Sequence, residues 1–252
     1  MPPEEIAPGI YILHERDGAR LATRSSDPVP VYGERIHNGY RLWDPYRSKL
    51  AALILKGKWQ TLPLKSNSRV LYLGASTGTT VSHVADIVSE GLVYAVEFSA
   101  RSMRDLVRLC ERRKNIIPIL ADAAKPEEYA PLLEPVDLVY QDVAQKNQAQ
   151  IASLNCARYL GQGGELCLML KSRSVDTTAP PQAVLQSELK KLEGLELIKI
   201  MNLEPFHLDH WAVRARWNPG PSEEGHRYPD IIFILFNRLS CESHQRLYWA
   251  AA

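Results

Sequence analysis

VLYLGASTGTTVSHVADIV, residues Val70–Val88, joins an apolar run (Val70–Leu73) through a glycine-bounded loop (Gly74–Gly78) to a helical pattern. A second apolar run, Leu92–Val96, follows and is closed by an acid, Glu97. Strand, tight turn, helix and a second strand ending in a carboxylate form an arrangement that holds nucleotide-like cofactors. The glycines let the backbone approach the ligand, and the acid accepts hydrogen bonds from ribose hydroxyls.

Working outward, strand patterns recur at Ile116–Leu120, Val136–Tyr140, Glu165–Leu170, Leu195–Met201 and Trp211–Arg216. Helical patterns lie at Thr80–Val88, Arg101–Arg113, Gln148–Tyr159 and Gln182–Leu192. Such alternation predicts an α/β fold: a parallel sheet covered on both faces, with an antiparallel strand at one edge. Gly74, Glu97, Asp122, Asp142 and Lys171 each close an apolar run, which puts them at strand C-terminal ends, the ligand-binding edge of an open α/β sheet.

Residues 1–65 read differently. Short β-prone pieces (Ile10–Leu13, Arg20–Thr23, Val29–Tyr32) are interrupted by Asp17-Gly18, Pro28 and Pro30, which predicts a small β-rich N-terminal domain. A helix over Pro45–Leu55, stopped by Gly57, connects it to the main domain at 66–217. A further segment, 218–252, opens with a PGPSEEG linker pattern and holds Ile231–Phe236; no apolar run in the sequence exceeds six residues, far too short to span a bilayer.

The 252 residues carry a net charge of +1, so any nucleic-acid contact must come from a local patch. Six basic residues (Arg35, Arg41, Arg47, Lys49, Lys56, Lys58) against one acid, Asp44, make such a patch, and Arg101, Arg104, Arg108 and Arg112 form a stripe on the following helix. Cys110, Cys156, Cys167 and Cys241 show no metal spacing, and the N-terminus has no signal pattern. A cytoplasmic protein with free thiols is expected. His207 and His210 stand without a wider ligand cluster, so no metal is expected.

The glycine loop by itself admits three chemistries. It fits G-x-S-x-G, the hydrolase elbow with Ser76 as nucleophile, and Asp142 and His210 follow in the matching chain order. That elbow would sit on the first strand, with no upstream loop for a second oxyanion donor, and would give Glu97 and Asp122 no role. A dinucleotide enzyme wants glycine where Ser76 stands. A cofactor without a pyrophosphate, such as S-adenosylmethionine, fits more easily, with its ribose on Glu97 and its adenine beside Asp122-Ala123.

VYGER (Val31–Arg35), YRLWDPYRSKLAALIL (Tyr40–Leu55), the Val70–Ile87 stretch, VYAVEFS (Val93–Ser99), NIIPILADAAKPEEYA (Asn115–Ala130), DVAQKNQ (Asp142–Gln148), LKSRSVDT (Leu170–Thr177) and LEPFHLDHWA (Leu203–Ala212) complete the pattern. Over residues 10–216 the chain resembles the fibrillarin family in its archaeal form, without a Gly/Arg-rich N-terminal tail. The resemblance implies a Rossmann-like S-adenosylmethionine-dependent methyltransferase sheet with a small N-terminal β-rich domain. It implies RNA ribose 2′-O-methylation of rRNA, and of tRNA, inside a box C/D guide RNA particle. The partners it implies are guide RNA, a Nop-domain scaffold protein and a kink-turn-binding, ribosomal-protein-like protein.

Carried onto this chain, the cofactor pocket falls on Gly74, Ala75, Thr79, Thr80, Glu97, Phe98, Asp122, Ala123, Asp142, Val143, Ala144 and Gln145. The catalytic tetrad falls on Lys49, Asp142, Lys171 and His210, with Lys171 expected as the base. GASTG stands where the family usually has GAASG, and DVAQKNQ where it often has DVAQPNQ. Neither change touches the tetrad. A non-catalytic interaction module of the same particle is the alternative.

Overall fold

The computed structural model describes residues 2–16, 18–57 and 63–218. Asp17, Lys58, Trp59, Cys241 and all of the 218–252 extension except Asn218 lie outside the described residues.

Five short strands form an antiparallel N-terminal sheet: β1 (Glu4–Ala7), β2 (Ile10–Glu15), β3 (Gly18–Arg24), β4 (Ile36–His37) and β5 (Tyr40–Leu42), in the order β1-β2-β3-β5-β4. Val29–Tyr32 is a loop rather than the expected strand. Pro28 and Pro30 supply no N–H to a ladder, and the Val31 and Tyr32 amides instead donate to the Glu34 carboxylate at 3.0 and 2.8 Å. Helix α1 spans Lys49–Gly57, so it starts later than expected and Gly57 is its last residue. Pro45–Arg47 form a turn, closed by Arg47 and Ser48 amides on the Asp44 carbonyl. Ser48 then caps α1, its Oγ accepting from the Ala51 amide at 3.3 Å.

The second sheet alternates strands and helices: β6 (Arg69–Leu73), α2 (Thr79–Ile87), β7 (Leu92–Glu97), α3 (Ala100–Arg112), β8 (Ile116–Leu120), a 3₁₀ segment (Pro126–Leu132), β9 (Val136–Gln141), α4 (Gln148–Tyr159), β10 (Leu160–Lys171), α5 (Ser172–Val175), α6 (Pro181–Leu189), β11 (Leu195–Asn202) and β12 (His210–Trp217). Its order is β11-β12-β10-β9-β6-β7-β8, with β12 antiparallel to both neighbours and the pairings among β6–β10 all parallel.

Side chains alternate between two cores, as a strand period of two requires. Val70, Tyr72, Val93 and Ala95 face one core, shared with Ile10, Ile12, Leu21 and the buried face of α1. Leu71, Leu73, Tyr94 and Val96 face the other, under α4 and α6. The N-terminal sheet therefore lies in one compact unit, Met1–Pro219, with the main sheet. The expected boundary at residue 65 marks a change of sheet within a shared core. No helix among the described residues is long and apolar enough to cross a membrane.

Candidate active site at the carboxyl edge of the sheet

The chain runs from β6 outward through β7 and β8, then returns to the other side of β6 for β9 and β10. That reversal opens a crevice beyond the C-terminal ends of β6 and β9. Gly74 and Asp142 meet there. A Cβ on Gly74 would lie 2.4 Å from the Asp142 carbonyl oxygen, and Gly74 has a left-handed φ of 85°, so only glycine fits.

Beside them is a cavity of about 250 Å³ lined by Gly74, Ser76, Val96, Glu97, Phe98, Ala121, Asp122, Ala123 and residues 142–145. Glu97 is buried at its floor, with its two carboxylate oxygens accepting from the Ser76 and Ser99 amides, each at 2.8 Å. These bonds fix the carboxylate and leave a lone pair on each oxygen for further donors. Ser76 adopts a left-handed φ of 51° within the loop that carries its amide to Glu97. Asp122 accepts from the Ala124 amide (2.9 Å) and the Gln145 side chain (3.1 Å), and these bonds hold its carboxyl below the usual range. Phe98 leaves 72% of its surface exposed at the rim, an apolar face with no protein packed over most of it.

Nine of the twelve expected pocket residues line this cavity. Ala75 is buried in the core, Thr79 opens α2, and Thr80 is buried with its hydroxyl donating to Ser48 Oγ at 3.0 Å. Ser76, singled out only as a hydrolase nucleophile, also lines it, as do Val96 and Ala121, each next to an expected pocket residue.

The four polar side chains of the expected tetrad gather at the same edge. Lys49 Nζ contacts both Asp142 oxygens, at 2.8 and 2.9 Å. Lys171, the last residue of β10, lies directly opposite His210, the first of β12. Because β12 runs antiparallel, its beginning reaches the edge where the other strands end. Directly opposed residues share a face of the sheet. Lys171 has no carboxylate within ion-pair distance among the described residues; its backbone is held by Gln148 on both sides. His210 Nδ1–H donates to the Leu208 carbonyl at 2.6 Å, leaving Nε2 as the free nitrogen. Burial lowers the basicity of His210, the Leu208 carbonyl opposes this, and the Lys49 cation adds to it.

The hydrolase reading fails on this geometry. Asp142 is taken by Lys49 and His210 Nδ1 by a backbone carbonyl, so no Ser–His–Asp hydrogen-bond chain is assembled. The basic patch is also reduced. Arg41 is fully buried, paired with Glu34 and Asp86, and Arg47 stacks over the Tyr32 ring at 5.6 Å. Lys58 lies outside the described residues. On α3, Arg108 pairs with Asp105 and Arg112 with Asp27.

A mixed sheet in this order, with one antiparallel strand and an acid-floored cavity at its carboxyl edge, defines the methyltransferase class of Rossmann-like proteins. Within that class the chain belongs to the fibrillarin family, whose sequence model matches residues 1–219. The fibrillarin-like rRNA/tRNA 2′-O-methyltransferase of Methanosarcina acetivorans is 52% identical over 225 residues, covering 83% of this chain and 98% of the relative. The fold matches fibrillarin in the fibrillarin/Nop5p complex with a TM-score of 0.79 at 48% identity, over 84% of this chain and 99% of that one. It also matches Aeropyrum pernix fibrillarin in complex with natively bound S-adenosyl-L-methionine, with a TM-score of 0.76 at 43% identity, over 85% and 99% of the two chains.

Proposed function

We propose that this chain is an S-adenosylmethionine-dependent RNA ribose 2′-O-methyltransferase acting on rRNA and tRNA. One observation carries the reading: a nucleoside-sized cavity and a cluster of two lysines, an aspartate and a histidine share Asp142 at a single sheet edge. The cofactor, when bound, supplies an electrophilic methyl group on a sulfonium.

The residues present suit such a group. Glu97, preset by two backbone amides, accepts the ribose hydroxyls, and the bare face of Phe98 covers the base beside Asp122 and Ala123. Gly74, Ala75, Thr79 and Thr80 form the methionine end, with Asp142 through Gln145 closing the cavity. Asp142 holds the Lys49 ammonium at the boundary between the cavity and the open edge. A ribose hydroxyl is a weak nucleophile until its proton is shared, so alignment and a positioned base are the main requirements. Lys171, which has no carboxylate partner among the described residues, accepts that proton. Lys49 and His210 orient the hydroxyl.

The same reading makes the chain the catalytic subunit of a cytoplasmic box C/D guide RNA particle. A Nop-domain scaffold recruits it beside a kink-turn-binding protein, and guide RNA selects the nucleotide. The Nop5p complex of a family member supports the scaffold, and the pairing of most patch cations within the protein supports delegated RNA selection. The test is methyl transfer to a guide-paired RNA bearing either ribose or 2′-deoxyribose at the target nucleotide. Transfer to ribose alone is expected. Transfer to both sugars would overturn the acceptor, whereas cofactor binding with no transfer to either would favour the interaction module.

A further inference from the structure

The loop joining β11 to β12, residues 203–209, touches the helix that carries Lys49 and the short helix α5 that begins right after Lys171. The Asp209 carbonyl accepts from Ser172 N (3.2 Å) and Ser172 Oγ (3.0 Å), immediately after Lys171. The Asp209 carboxylate takes Arg173 Nε at 3.0 Å. At the far end of α1, the Lys56 ammonium donates to the Glu204 carbonyl. Phe206 meets Tyr46 edge-on, with ring centroids 5.1 Å apart.

His207 makes the contact nearest to the chemistry. Its Nε2–H donates to the Pro45 carbonyl at 2.8 Å, and its ring lies 5.8 Å from that of His210. A carbonyl can only accept, so the proton sits on Nε2 in the neutral ring. Pro45 belongs to the turn that precedes Lys49, whose backbone amides bond internally to Asp44 while the Arg47 side chain donates to the Tyr32 carbonyl. The Pro45–His207 bond is thus a hydrogen bond that ties the turn to the β11–β12 loop. The charged and titratable groups facing His207 are Lys49 from α1, Asp142 after β9 and His210 on β12. Burial, reinforced by Lys49, lowers the basicity of His207 despite the opposing Pro45 carbonyl. The lowered basicity favours the neutral ring, which keeps its Nε2–H for the Pro45 carbonyl.

We propose that His207 is a positioning residue: its Nε2–H···O=C bond to Pro45 registers the turn presenting Lys49 against the loop presenting His210. The Lys49–Asp142 and Lys171–His210 pairs then hold one common geometry across the acceptor hydroxyl. The catalytic consequence rests on the methyl-transfer reading; the registering contact does not.

The test compares His207→Ala and His207→Gln in the full chain, free and assembled with scaffold protein and guide RNA. A displacement of about 1 Å can cost on the order of a hundredfold in rate. His207→Ala is therefore expected to lower kcat by roughly ten- to a hundredfold, with RNA KM and cofactor affinity unchanged. The Gln amide can donate to the same carbonyl, so His207→Gln recovers most of the rate. In the free protein, amide exchange of Arg47 and Ser48 accelerates in the Ala variant and stays near wild type in the Gln variant. Wild-type kcat in the Ala variant, equal impairment of both variants, or unchanged exchange would each overturn the proposal. Should the wild-type particle transfer no methyl group, the function is wrong, and the exchange comparison still decides the contact.

Discussion

At the scale of single residues, Gly74 and Lys171 carry the sharpest expectations. The Asp142 carbonyl presses against Gly74 where a Cβ would stand, and the backbone there is left-handed. Gly74→Ala must move the very segment that closes the cavity and grips Lys49. We expect a loss of about 1–3 kcal/mol in stability, together with at least a tenfold drop in S-adenosylmethionine affinity, read by thermal unfolding and calorimetric titration. Unchanged affinity would show that the 142–145 segment is not part of the cofactor site. Lys171→Met keeps most of the length of the side chain and removes its proton acceptor. Methyl transfer is expected to fall by roughly 10²–10⁴-fold with cofactor affinity intact. Undiminished transfer at every pH would move the base elsewhere.

At the scale of elements, a buried ionic cluster locks the N-terminal sheet to α2 and the end of α3. Arg41 of β5 pairs with Glu34 and Asp86, and Arg113 pairs with Asp27 and Asp86. His83 of α2 is buried among them, bonded to Thr23 and Tyr32 and stacked on Trp43. Burial, then the Arg41 and Arg113 cations, hold His83 well below its ordinary 6.5. The unfolded chain therefore binds a proton near that pH that the folded chain refuses. Stability from His83 is complete above about 6.5 and declines as pH falls towards its folded value. Asp27 and Glu34 act later in the same direction. Burial opposes their ionisation, but arginines and backbone amides outweigh it and hold both carboxyls low, so their contribution fades as pH falls through those lowered values. We expect unfolding free energy to be level above pH 7 and to fall below pH 6.5, by up to about 1.4 kcal/mol per pH unit from His83. Denaturant titrations between pH 5 and 8 check this. A protein that gained stability on acidification would contradict the neutral, buried histidine.

At the scale of the whole molecule, the charge distribution decides how RNA is found. The net charge is +1, and the basic patch is partly engaged by the protein itself: Arg41 is buried in the cluster, Lys49 is held on Asp142, and the exposed Arg35 and Arg47 lie against Glu15 and the Tyr32 ring. Within that patch few cations are left without a partner to displace counterions. Binding of single-stranded RNA by the isolated chain is expected to be weak, with affinity varying as no more than about the second power of salt concentration. Fluorescence titrations over a range of potassium chloride would measure that exponent. An exponent near seven would mean that the enzyme grips RNA by itself, without the scaffold the proposal assigns to it.

The sequence by itself determined the sheet, its carboxyl edge and the family. Alternating apolar residues in each strand encode their own two faces, and Gly74, Glu97, Asp122, Asp142 and Lys171 close runs whose direction is local. The tertiary structure alone decided which of these groups meet. Lys49 reaches Asp142, 93 positions further along the chain, because α1 packs on the core beneath the edge. His210 faces Lys171 because β12 is antiparallel and begins where β10 ends. Arg41 looked like surface charge and is buried, because its carboxylates come from a loop and from α2. Periodicity records whether a residue faces a core, whereas strand order and packing determine which charge lies opposite it.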